Sequence, residues 1–225
     1  MCGRYTLSAG KASWAFAEVR IEWRGQRLFN IAPSQRAPIV RMEAGLPVLR
    51  ELRWGLVPFW AKDAKIGNTL ANARSETIAT KPSFREAFQK RRCVVFADGY
   101  YEWQSLGKLK QPWRFVRPDR QTMLLAGLWE SWRDPALPGD PLETFTLITT
   151  TPNDVASAVH DRMPVILSGN TVDHWLDETT TAETLTGLMR PCPDADLHRY
   201  AVSPLVGNPR NDIPQCIEPL PPDLL

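Results

Sequence analysis

The sequence predicts an α+β fold: one domain over residues 1–225, with a mainly antiparallel, barrel-like β-sheet at its core and short helices around it. Many short apolar or β-branched segments are separated by turn residues, and helical segments do not alternate with them as in a βαβ fold. A chain of 225 residues can bury one substantial core. Neither an internal repeat nor a Gly- or Ser-rich linker divides it.

The predicted strands carry alternating or continuous apolar residues between Gly, Pro and Asn turns. They cover residues 4–7, 38–42, 46–56, 92–96, 100–103, 113–116, 123–129, 144–150, 165–167 and 200–206. Glu43-Ala44-Gly45 predicts a hairpin turn between the second and third of these. A basic hairpin is expected at 107–110 and an ordered surface turn at 30–35.

The predicted helices are short, and most have a recognisable start. They are a helix over 8–19 with Ser8 as N-cap, helical sequence after Glu76, a helix opening at Pro82, one over 151–160, and two near 172–177 and 182–190. Phe84 and Phe88 share one face of the third. Thr180 and Glu183 predict a capping box for the last. The Pro-rich tail is expected to be pinned rather than helical.

Composition limits the function classes. Hydrophobic residues make up 43%, charged residues 23%, and the net charge of +2 is too small to indicate nucleic-acid binding by bulk electrostatics. With no apolar run long enough for a bilayer and no signal-peptide layout, we expect a cytoplasmic protein without a membrane partner. The four cysteines lack metal-ligand spacing, so no metal is expected, and without a secretory signal they are not expected to form disulfides. No cofactor is expected.

Cys2 offers unusual chemistry if Met1 is removed. A terminal cysteine carries a free α-amine and a thiol, with ordinary pKa values of roughly 8 and roughly 8.5. Either group becomes nucleophilic with modest help from neighbours. The pair can trap an aldehyde, since the amine forms an imine and the thiol then closes a five-membered thiazolidine. Cys2 alone does not decide between this chemistry and an incidental cysteine.

Further candidates lie elsewhere in the chain. Glu102 sits between aromatic residues, where burial would raise its pKa and suit it to proton transfer, although a surface glutamate fits the same pattern. His160 lies in a dense polar cluster but is equally compatible with an incidental role. Asn72 could orient a substrate oxygen and Arg74 could grip a phosphate, or they could be an N-cap and a surface ion-pair partner. No phosphate loop, G-x-S-x-G elbow or H-E-x-x-H zinc motif is present.

Six motifs in order resemble the SRAP family, the SOS-response-associated peptidases. They are Met1-Cys-Gly-Arg-Tyr, Asn30-Ile-Ala-Pro, Trp54-Gly-Leu-Val-Pro-Phe-Trp, Asn72-Ala-Arg-Ser-Glu-Thr, Phe96-Ala-Asp-Gly-Tyr-Tyr-Glu-Trp and His160-Asp-Arg-Met-Pro. The resemblance runs from Cys2 to Asn208, so it covers nearly the whole chain. Two mild departures are Tyr5, where Phe is common, and Phe59-Trp60-Ala61, which lacks a second adjacent tryptophan.

The resemblance implies a single SRAP domain that crosslinks itself to abasic sites in single-stranded DNA, without a cofactor. Cys2 would form the imine and then the thiazolidine with the ring-opened sugar aldehyde. Glu102 would shuttle protons, His160 would assist ring opening and imine formation, and Asn72 would position the sugar. Thr149 falls at a supporting position. The protein would be monomeric and nucleoid-associated when bound to DNA.

The resemblance also implies a DNA-binding surface. Arg4, Arg74 and Arg162 match phosphate-holding residues. Asn30, Pro33 and Trp60 match residues at a rim that supports the kinked DNA strand. Trp60 would act as a wedge or stacking surface. A few placed arginines would reconcile DNA binding with the low net charge and predict a salt slope of about three or four phosphates.

Two other functions stay open. The first is an N-terminal-nucleophile amidase or self-processing peptidase, in which Cys2 attacks an amide and Asn72 or a backbone amide polarises its carbonyl. The second is a non-catalytic reader of single-stranded or modified-base DNA, for which Cys2 would be dispensable. A purely structural role would leave Cys2 and the polar cluster without a purpose.

Overall fold

The core is a closed five-stranded β-barrel. The computed structural model describes residues 2–16, 19–136, 139–221 and 223. Its strands are β1 (Arg4–Leu7), β2 (Lys11–Phe16), β3 (Val19–Arg24), β4 (Leu28–Ile31), β5 (Arg36–Glu43), β6 (Leu46–Trp54), β7 (Asn72–Arg74), β8 (Arg92–Ala97), β9 (Gly99–Leu106), β10 (Leu109–Val116), β11 (Met123–Trp132), β12 (Leu142–Thr150), β13 (Met163–Pro164), β14 (Ile166–Leu167) and β15 (His198–Ala201). Its α-helices are α1 (Arg85–Lys90), α2 (Asp154–Ser157), α3 (Gly169–Leu176) and α4 (Ala182–Leu188).

The barrel runs β12-β6-β5-β8-β11 and closes where β11 pairs with β12. Only the β12–β6 contact in this ring is parallel. All six residues of β8 are buried, as expected for a strand covered on both faces. The predicted α+β fold with a mainly antiparallel, barrel-like sheet is therefore confirmed.

A second sheet carries the N-terminus. Its five strands run β15-β10-β9-β1-β4, all antiparallel. The chain passes from barrel strand β8 directly into β9 through Asp98. The Asp98 carboxylate accepts hydrogen bonds from the Thr6 and Ser8 hydroxyls, at 2.5 and 3.0 Å, and from the Ala9 amide. This junction fixes β1, and with it the N-terminus, against the barrel.

Helices α1 and α3 cover one side of the barrel. Phe84, Phe88 and Trp175 are buried there, which confirms that the two phenylalanines share a face. The buried Arg92 guanidinium donates to backbone carbonyls of Phe88 and Trp175, among others, and so satisfies the ends of both helices. Within the described residues, no helix is both long and apolar enough to cross a bilayer.

The helix predicted over 8–19 is wrong. The described part of this segment forms the hairpin β2–β3, whereas Ala17 and Glu18 lie outside the described residues. Gly10, at φ +67°, turns the chain sharply, and the Ser8 hydroxyl is held by Asp98 instead of capping a helix. Ala12 and Trp14 are buried while Lys11, Ser13 and Ala15 are exposed, so burial follows the period of a strand.

Other boundaries also differ. Asn72–Arg74 is strand β7, paired in parallel with β12, and turns rather than a helix follow it. Helix α1 starts at Arg85, three residues after Pro82, and α2 ends at Ser157, before His160. The α4 cap is Thr181, which accepts from the Thr184 amide, so the predicted capping box is wrong. At β7, parallel pairing with β12 overrides the local helical preference.

Several local predictions are confirmed. The β5–β6 hairpin turns at Ala44 and Gly45, which have φ +50° and +80°. The basic hairpin turns at Gly107 and joins β9 to β10. In the tail, the Leu220 amide donates to the Ala201 carbonyl, so the described part is pinned to β15. The final strand is shorter than predicted, and Pro204–Gly207 is a 3₁₀ turn.

Gly55, just after β6, should not tolerate a side chain. Its φ is +121°, and a Cβ there would lie 2.6 Å from the Gly67 carbonyl oxygen. We expect Gly55→Ala to lower the free energy of unfolding by about 2–4 kcal/mol, because strain and a backbone clash add. Gly45→Ala is the matched control: its φ is also positive, but nothing lies within 4 Å, and only about 1 kcal/mol should be lost. Urea unfolding checks both, and equal losses would contradict the clash.

Candidate active site

Cys2 lies just before β1 and is fully buried. Its Sγ is 3.8 Å from the Arg4 carbonyl oxygen, a weak donor contact. Burial raises the pKa of the Cys2 thiol well above its usual range, and the neighbouring Glu102 carboxylate raises that pKa further. The thiol is therefore held in its protonated, unreactive form. Met1, whose removal the prediction requires, lies outside the described residues.

Glu102 on β9 is buried, with 3% of its surface exposed. Burial raises the pKa of Glu102 to about 7, so the carboxyl exchanges a proton near neutral pH. Its Oε2 lies 3.9 Å from His160 Nε2. The two groups are too far apart for a direct hydrogen bond but close enough for one bridging atom or a small shift to connect them.

His160 follows α2 with a defined orientation. The Arg162 amide donates to His160 Nδ1 at 3.0 Å, and burial lowers the pKa of His160. A neutral ring with Nδ1 as acceptor carries its proton on Nε2, the atom that faces Glu102. Asp161 Oδ1, 2.9 Å from Nδ1, would favour the opposite tautomer. We assign Nδ1 as acceptor because the Asp161 side chain is 85% exposed and its charge is screened by solvent.

The Arg162 guanidinium is engaged in contacts within the protein. Its guanidinium forms a bidentate ion pair with Glu76, at 2.6 and 3.0 Å, and donates to the Thr149 carbonyl at 2.6 Å. This pairing lowers the pKa of Glu76. Arg162 is 8% exposed, so a phosphate would have to displace Glu76 to reach it. It connects the segment after His160 to β12 and so holds the site together.

Asn72 and Arg74 lie on β7, which brings them to the same edge of β12. Arg74 is opposite Thr149 in this register, and Thr149 is buried beside Arg162. The Asn72 Oδ1 atom is buried without a hydrogen-bond partner among the described residues. The Arg74 side chain is exposed and makes no ion pair within the described part of the chain. Arg74 thus presents a guanidinium to solvent, which Arg162 does not.

Arg4 and Asn30 form a structural pair. The Arg4 guanidinium is half-buried and donates to Asn30 Oδ1 at 3.1 Å and to the Val206 carbonyl at 2.8 Å. Asn30 lies in β4, fully buried, and donates to the carbonyls of Val206, Asn208 and Asn211. The turn predicted over 30–35 is confirmed from Ala32 to Gln35, where the Gln35 amide donates to the Ala32 carbonyl, but Asn30 itself belongs to the strand. Arg4 and Asn30 both hold the 206–211 segment in place.

An open cleft of about 410 Å³ lies beside Glu102 and His160. Its lining also includes Trp103, Ser105, Lys110 and Gly207. Arg4 reaches the same wall, since its guanidinium donates to the Gly207 carbonyl and lies 5.9 Å from the Trp103 ring centre. Glu102 and His160 therefore border a cleft that opens to solvent. Lys110, which the sequence places in a basic hairpin, contributes a positive charge at this cleft.

Trp60 and Pro33 lie apart from this cleft. Trp60 is 47% exposed, next to the equally exposed Phe59, and lines a different depression with Lys62 and Lys65. Pro33 is half-buried in the turn after β4.

The structure thus joins Cys2, Glu102, His160, Arg162 and Thr149 by direct or charge interactions, with Asn72 and Arg74 one strand away. Arg4 and Asn30 hold the segment that carries the cleft residue Gly207.

Two buried tyrosines interact electrostatically with the Cys2 thiol. Tyr5 and Tyr100 are fully buried, and charge on the Cys2 thiol ranks second after burial in raising the pKa of each. Tyr100 and Glu102 are two residues apart on β9, so strand periodicity places them on one face. The sequence contained the spacing that relates Tyr100 to Glu102, but it did not show that β9 pairs with β1.

Known proteins match this chain over most of its length. The family model of the SOS response associated peptidase (SRAP) matches residues 1–209. "Abasic site processing protein YoqW" of Bacillus subtilis (strain 168) is 40% identical over 97% of this chain and 99% of its own length. "Abasic site processing protein HMCES" of Gallus gallus is 33% identical over 98% of this chain and 78% of its own. A crystal structure of a protein from Bacteroides thetaiotaomicron superposes with a TM-score of 0.78 and 29% identity, covering 85% of this chain and 84% of that one.

The chain belongs to the SRAP family. Its fold and the order of its site motifs agree with this assignment, and the predicted family is confirmed. Within the described residues, no group of three or more His, Cys, Asp or Glu side chains is arranged to hold a metal ion.

Glu102→Gln should change how stability depends on pH. The ordinary pKa of 4.5 rises to about 7 in the fold, so between these values the native state holds a proton that the unfolded state releases. Wild-type stability therefore falls as pH rises from 4.5 to 7. The variant lacks this penalty. Its free energy of unfolding minus that of wild type should therefore be larger at pH 8 than at pH 4.5, by on the order of 1–3 kcal/mol.

Glu76→Gln provides a control of opposite sign. Arg162 lowers the pKa of Glu76, so ionised Glu76 stabilises the fold above its unfolded pKa and this stability is lost as pH falls. The variant should therefore lose stability at pH 8 relative to pH 4.5. Urea unfolding at both pH values measures the two effects, and the same sign for both variants would contradict the assignment of Glu102.

Proposed function

We propose that this protein binds single-stranded DNA containing abasic sites and forms a covalent thiazolidine crosslink through Cys2, which protects the lesion during the response to DNA damage. One observation carries the proposal: Cys2 interacts with a buried glutamate that titrates near pH 7 and contacts a neutral histidine at an open cleft. Relatives named abasic site processing proteins, which span nearly this whole chain, support it.

The chemistry begins at the Cys2 amine after Met1 is removed. Neutral amine adds to the ring-opened sugar aldehyde and gives a carbinolamine. Protonated Glu102 donates to the departing hydroxyl, so that water leaves and an imine forms. His160 has its proton on Nε2 toward Glu102, which suits it to passing protons and to assisting sugar ring opening. Each of these proton transfers is reversible, so the same groups also support release.

The second step forms the stable link. The Cys2 thiol adds to the imine carbon, its proton passes to the imine nitrogen, and the five-membered ring closes. Asn72 supplies an amide beside the site, and the unpartnered Oδ1 supports a role in binding a sugar hydroxyl. Thr149 supports the site by holding Arg162 through its carbonyl.

The DNA contacts are divided between positioning and phosphate binding. Arg74 is exposed and without an ion pair among the described residues, so we assign it a phosphate contact. Lys110 at the cleft provides a second positive charge. Arg162 and Arg4 would act mainly by fixing the walls of the site, since their donors are engaged. Asn30 and Arg4 support the segment beside the cleft. Pro33 and exposed Trp60 would support the DNA strand further from the lesion.

Incubation with single-stranded DNA carrying one abasic site, then denaturation and intact-mass measurement, tests the crosslink. We expect an adduct of the Met1-less protein that is one water lighter than the sum of the partners, and none with undamaged DNA. Cys2→Ala should form no stable thiazolidine, because its amine can give only a reversible imine, while noncovalent DNA binding largely survives. A stable adduct of Cys2→Ala at wild-type yield would rule out the mechanism.

The same spectra test the amidase alternative that the family's peptidase description raises. An autocatalytic peptidase would need its proton-transfer residue to release Met1, so Glu102→Ala would retain Met1. Normal trimming in Glu102→Ala, together with a DNA adduct in wild type, would favour the crosslinking function. A trimmed protein that never reacts with abasic DNA would favour the amidase or the non-catalytic DNA reader.

Arg74→Gln should weaken noncovalent binding to single-stranded DNA by ~1–3 kcal/mol, because a charge-assisted phosphate contact is lost. The slope of log affinity against log salt should fall by about 1 in magnitude. Arg85→Gln is the matched control, since Arg85 is an exposed arginine on α1. Fluorescence anisotropy with undamaged single strands, at several salt concentrations, measures both. Identical salt slopes for Arg74→Gln and Arg85→Gln would remove Arg74 from the DNA-binding surface.

A further inference from the structure

His160 lies in a short segment that is held at both ends. After it, the Arg162 guanidinium donates to the Thr149 carbonyl on β12. Before it comes α2, which has only four residues. A helix this short has little stability of its own, so its orientation depends on contacts with the rest of the fold. The contact at the end of α2 therefore helps to determine where the imidazole lies.

Gln104 on β9 supplies the contact at the end of α2. Its Nε2 atom donates to the Ala158 carbonyl oxygen at 2.9 Å. The last carbonyls of a helix have no partner within the helix, and Ala158 is the residue that caps α2. The same turn continues to the histidine, because the His160 amide donates to the Ala156 carbonyl at 3.0 Å. Gln104 therefore holds the chain two residues before His160.

The Gln104 amide has a defined orientation. Trp113 Nε1 on β10 donates to Gln104 Oε1 at 3.0 Å. An indole N–H can only donate, so the amide oxygen faces Trp113 and the amide nitrogen faces Ala158. Arg199 on β15 lies over the Trp113 ring, 5.3 Å from its centre, and donates to the Val155 carbonyl on α2. Side chains from three adjacent strands thus hold α2 against the second sheet.

Strand β9 carries both this anchor and the carboxyl that faces the histidine. Glu102 and Gln104 are two residues apart, so their side chains share one face of β9. Their partners, His160 and Ala158, are also two residues apart. The hydrogen bond from Gln104 and the 3.9 Å contact between Glu102 Oε2 and His160 Nε2 therefore join the same two segments at adjacent points.

We propose that Gln104 is a positioning residue for the proposed reaction: by holding the Ala158 carbonyl, it keeps His160 Nε2 within reach of Glu102 Oε2 for proton transfer. This inference rests on the proposed crosslinking function and adds a residue that acts only through His160. A displacement of about 1 Å is enough to lose much of the benefit of a placed catalytic group. The separation of 3.9 Å leaves no room for such a displacement.

Gln104→Met tests the anchor, because it keeps the length of the side chain and removes the donor. With saturating abasic single-stranded DNA, we expect the rate constant for adduct formation to fall about 10-fold, since the proton-transfer geometry is lost. The affinity for undamaged single strands should stay at the wild-type value. Quenched time courses read by intact mass give the rate, and fluorescence anisotropy gives the affinity.

The loss of rate should depend on the histidine. In a His160→Ala background, Gln104→Met should leave the remaining rate unchanged, because no imidazole is left to be misplaced. Rate losses that multiply in the double variant would show that Gln104 acts elsewhere, and would overturn the inference.

Gln111→Met is the matched control. Gln111 lies directly opposite Gln104 in the β9–β10 register, and its Nε2 also donates to backbone carbonyls, at 2.8 Å to Pro112 and 3.0 Å to Val202. Both carbonyls lie outside the segment that carries His160. We therefore expect adduct formation at the wild-type rate. An equal fall in the two variants would mean that any lost glutamine contact in this sheet slows the reaction, and would reject a specific role for Gln104.

Histidine ring signals in NMR spectra provide a readout without DNA. The chain has three histidines, and His174 and His198 are exposed. Glu102→Gln should shift the His160 ring signals, because the two groups are in contact, and leave the other two as internal references. When Gln104→Met is present, the same Glu102→Gln change should shift the His160 signals less, because the groups have moved apart.

These measurements separate the inference from the proposed function. A wild type that crosslinks, together with a folded Gln104→Met variant that reacts at the wild-type rate, would reject the role of Gln104 alone. A wild type that forms no adduct would reject the proposed function. The ring signals would then still decide whether Gln104 places His160 beside Glu102, and an undiminished response to Glu102→Gln would reject that placement too.

Discussion

The half-buried Asp98 carboxylate makes the contacts on which the position of the site depends. It forms an ion pair with Arg114 at 3.0 Å, with the two side chains 14% and 4% exposed. The same carboxylate binds the Thr6 and Ser8 side chains and the Ala9 amide. A carboxylate with this many donors satisfies a buried arginine that would otherwise be very costly. It lies at the point where β8 leaves the barrel and β9 begins, so one group joins the barrel, the second sheet and the N-terminal strand.

The contacts around Asp98 fix the position of strand β1, and strand β1 in turn positions Cys2. A chain terminus is usually poorly ordered unless it is paired into a sheet, and here β1 is paired on both edges, by β4 and β9. The same pairing sets Tyr5 opposite Tyr100 and places Glu102 further along the same face of β9. Arg4 and Asn30 then fasten the 206–211 segment against it. The placement of Cys2 is therefore a property of the whole sheet.

The sequence predicted the elements whose signals are local. The hairpin at Ala44-Gly45 needs a positive φ at both turn positions, and alternating apolar residues define its arms. The helix predicted over 8–19 failed because Ser8, which resembles an N-cap, is bound by Asp98, ninety residues away in the chain. Local preference could not include that partner.

The sequence motifs identified which residues belong to the candidate site, but not how the strands that carry them pair. Cys2, Glu102 and His160 were selected from their surroundings, and the structure brings them together. That Arg162 is bound by Glu76 while Arg74 is exposed depends on how β7 pairs with β12. No pattern within either motif contains this information. The Tyr5–Tyr100 pairing is likewise a matter of strand register.

Burial explains why the proposed reaction would proceed in a fixed order. Burial raises the pKa of the Cys2 thiol, so at neutral pH the sulfur is protonated and slow to react with oxidants or electrophiles. The ordinary pKa of an α-amine, roughly 8, leaves a useful neutral fraction under the same conditions. An aldehyde would therefore meet the amine first, and the thiol would react only once the imine carbon is held beside it, where proximity compensates for low thiolate content. A buried nucleophile is in this way protected until the correct substrate is already attached.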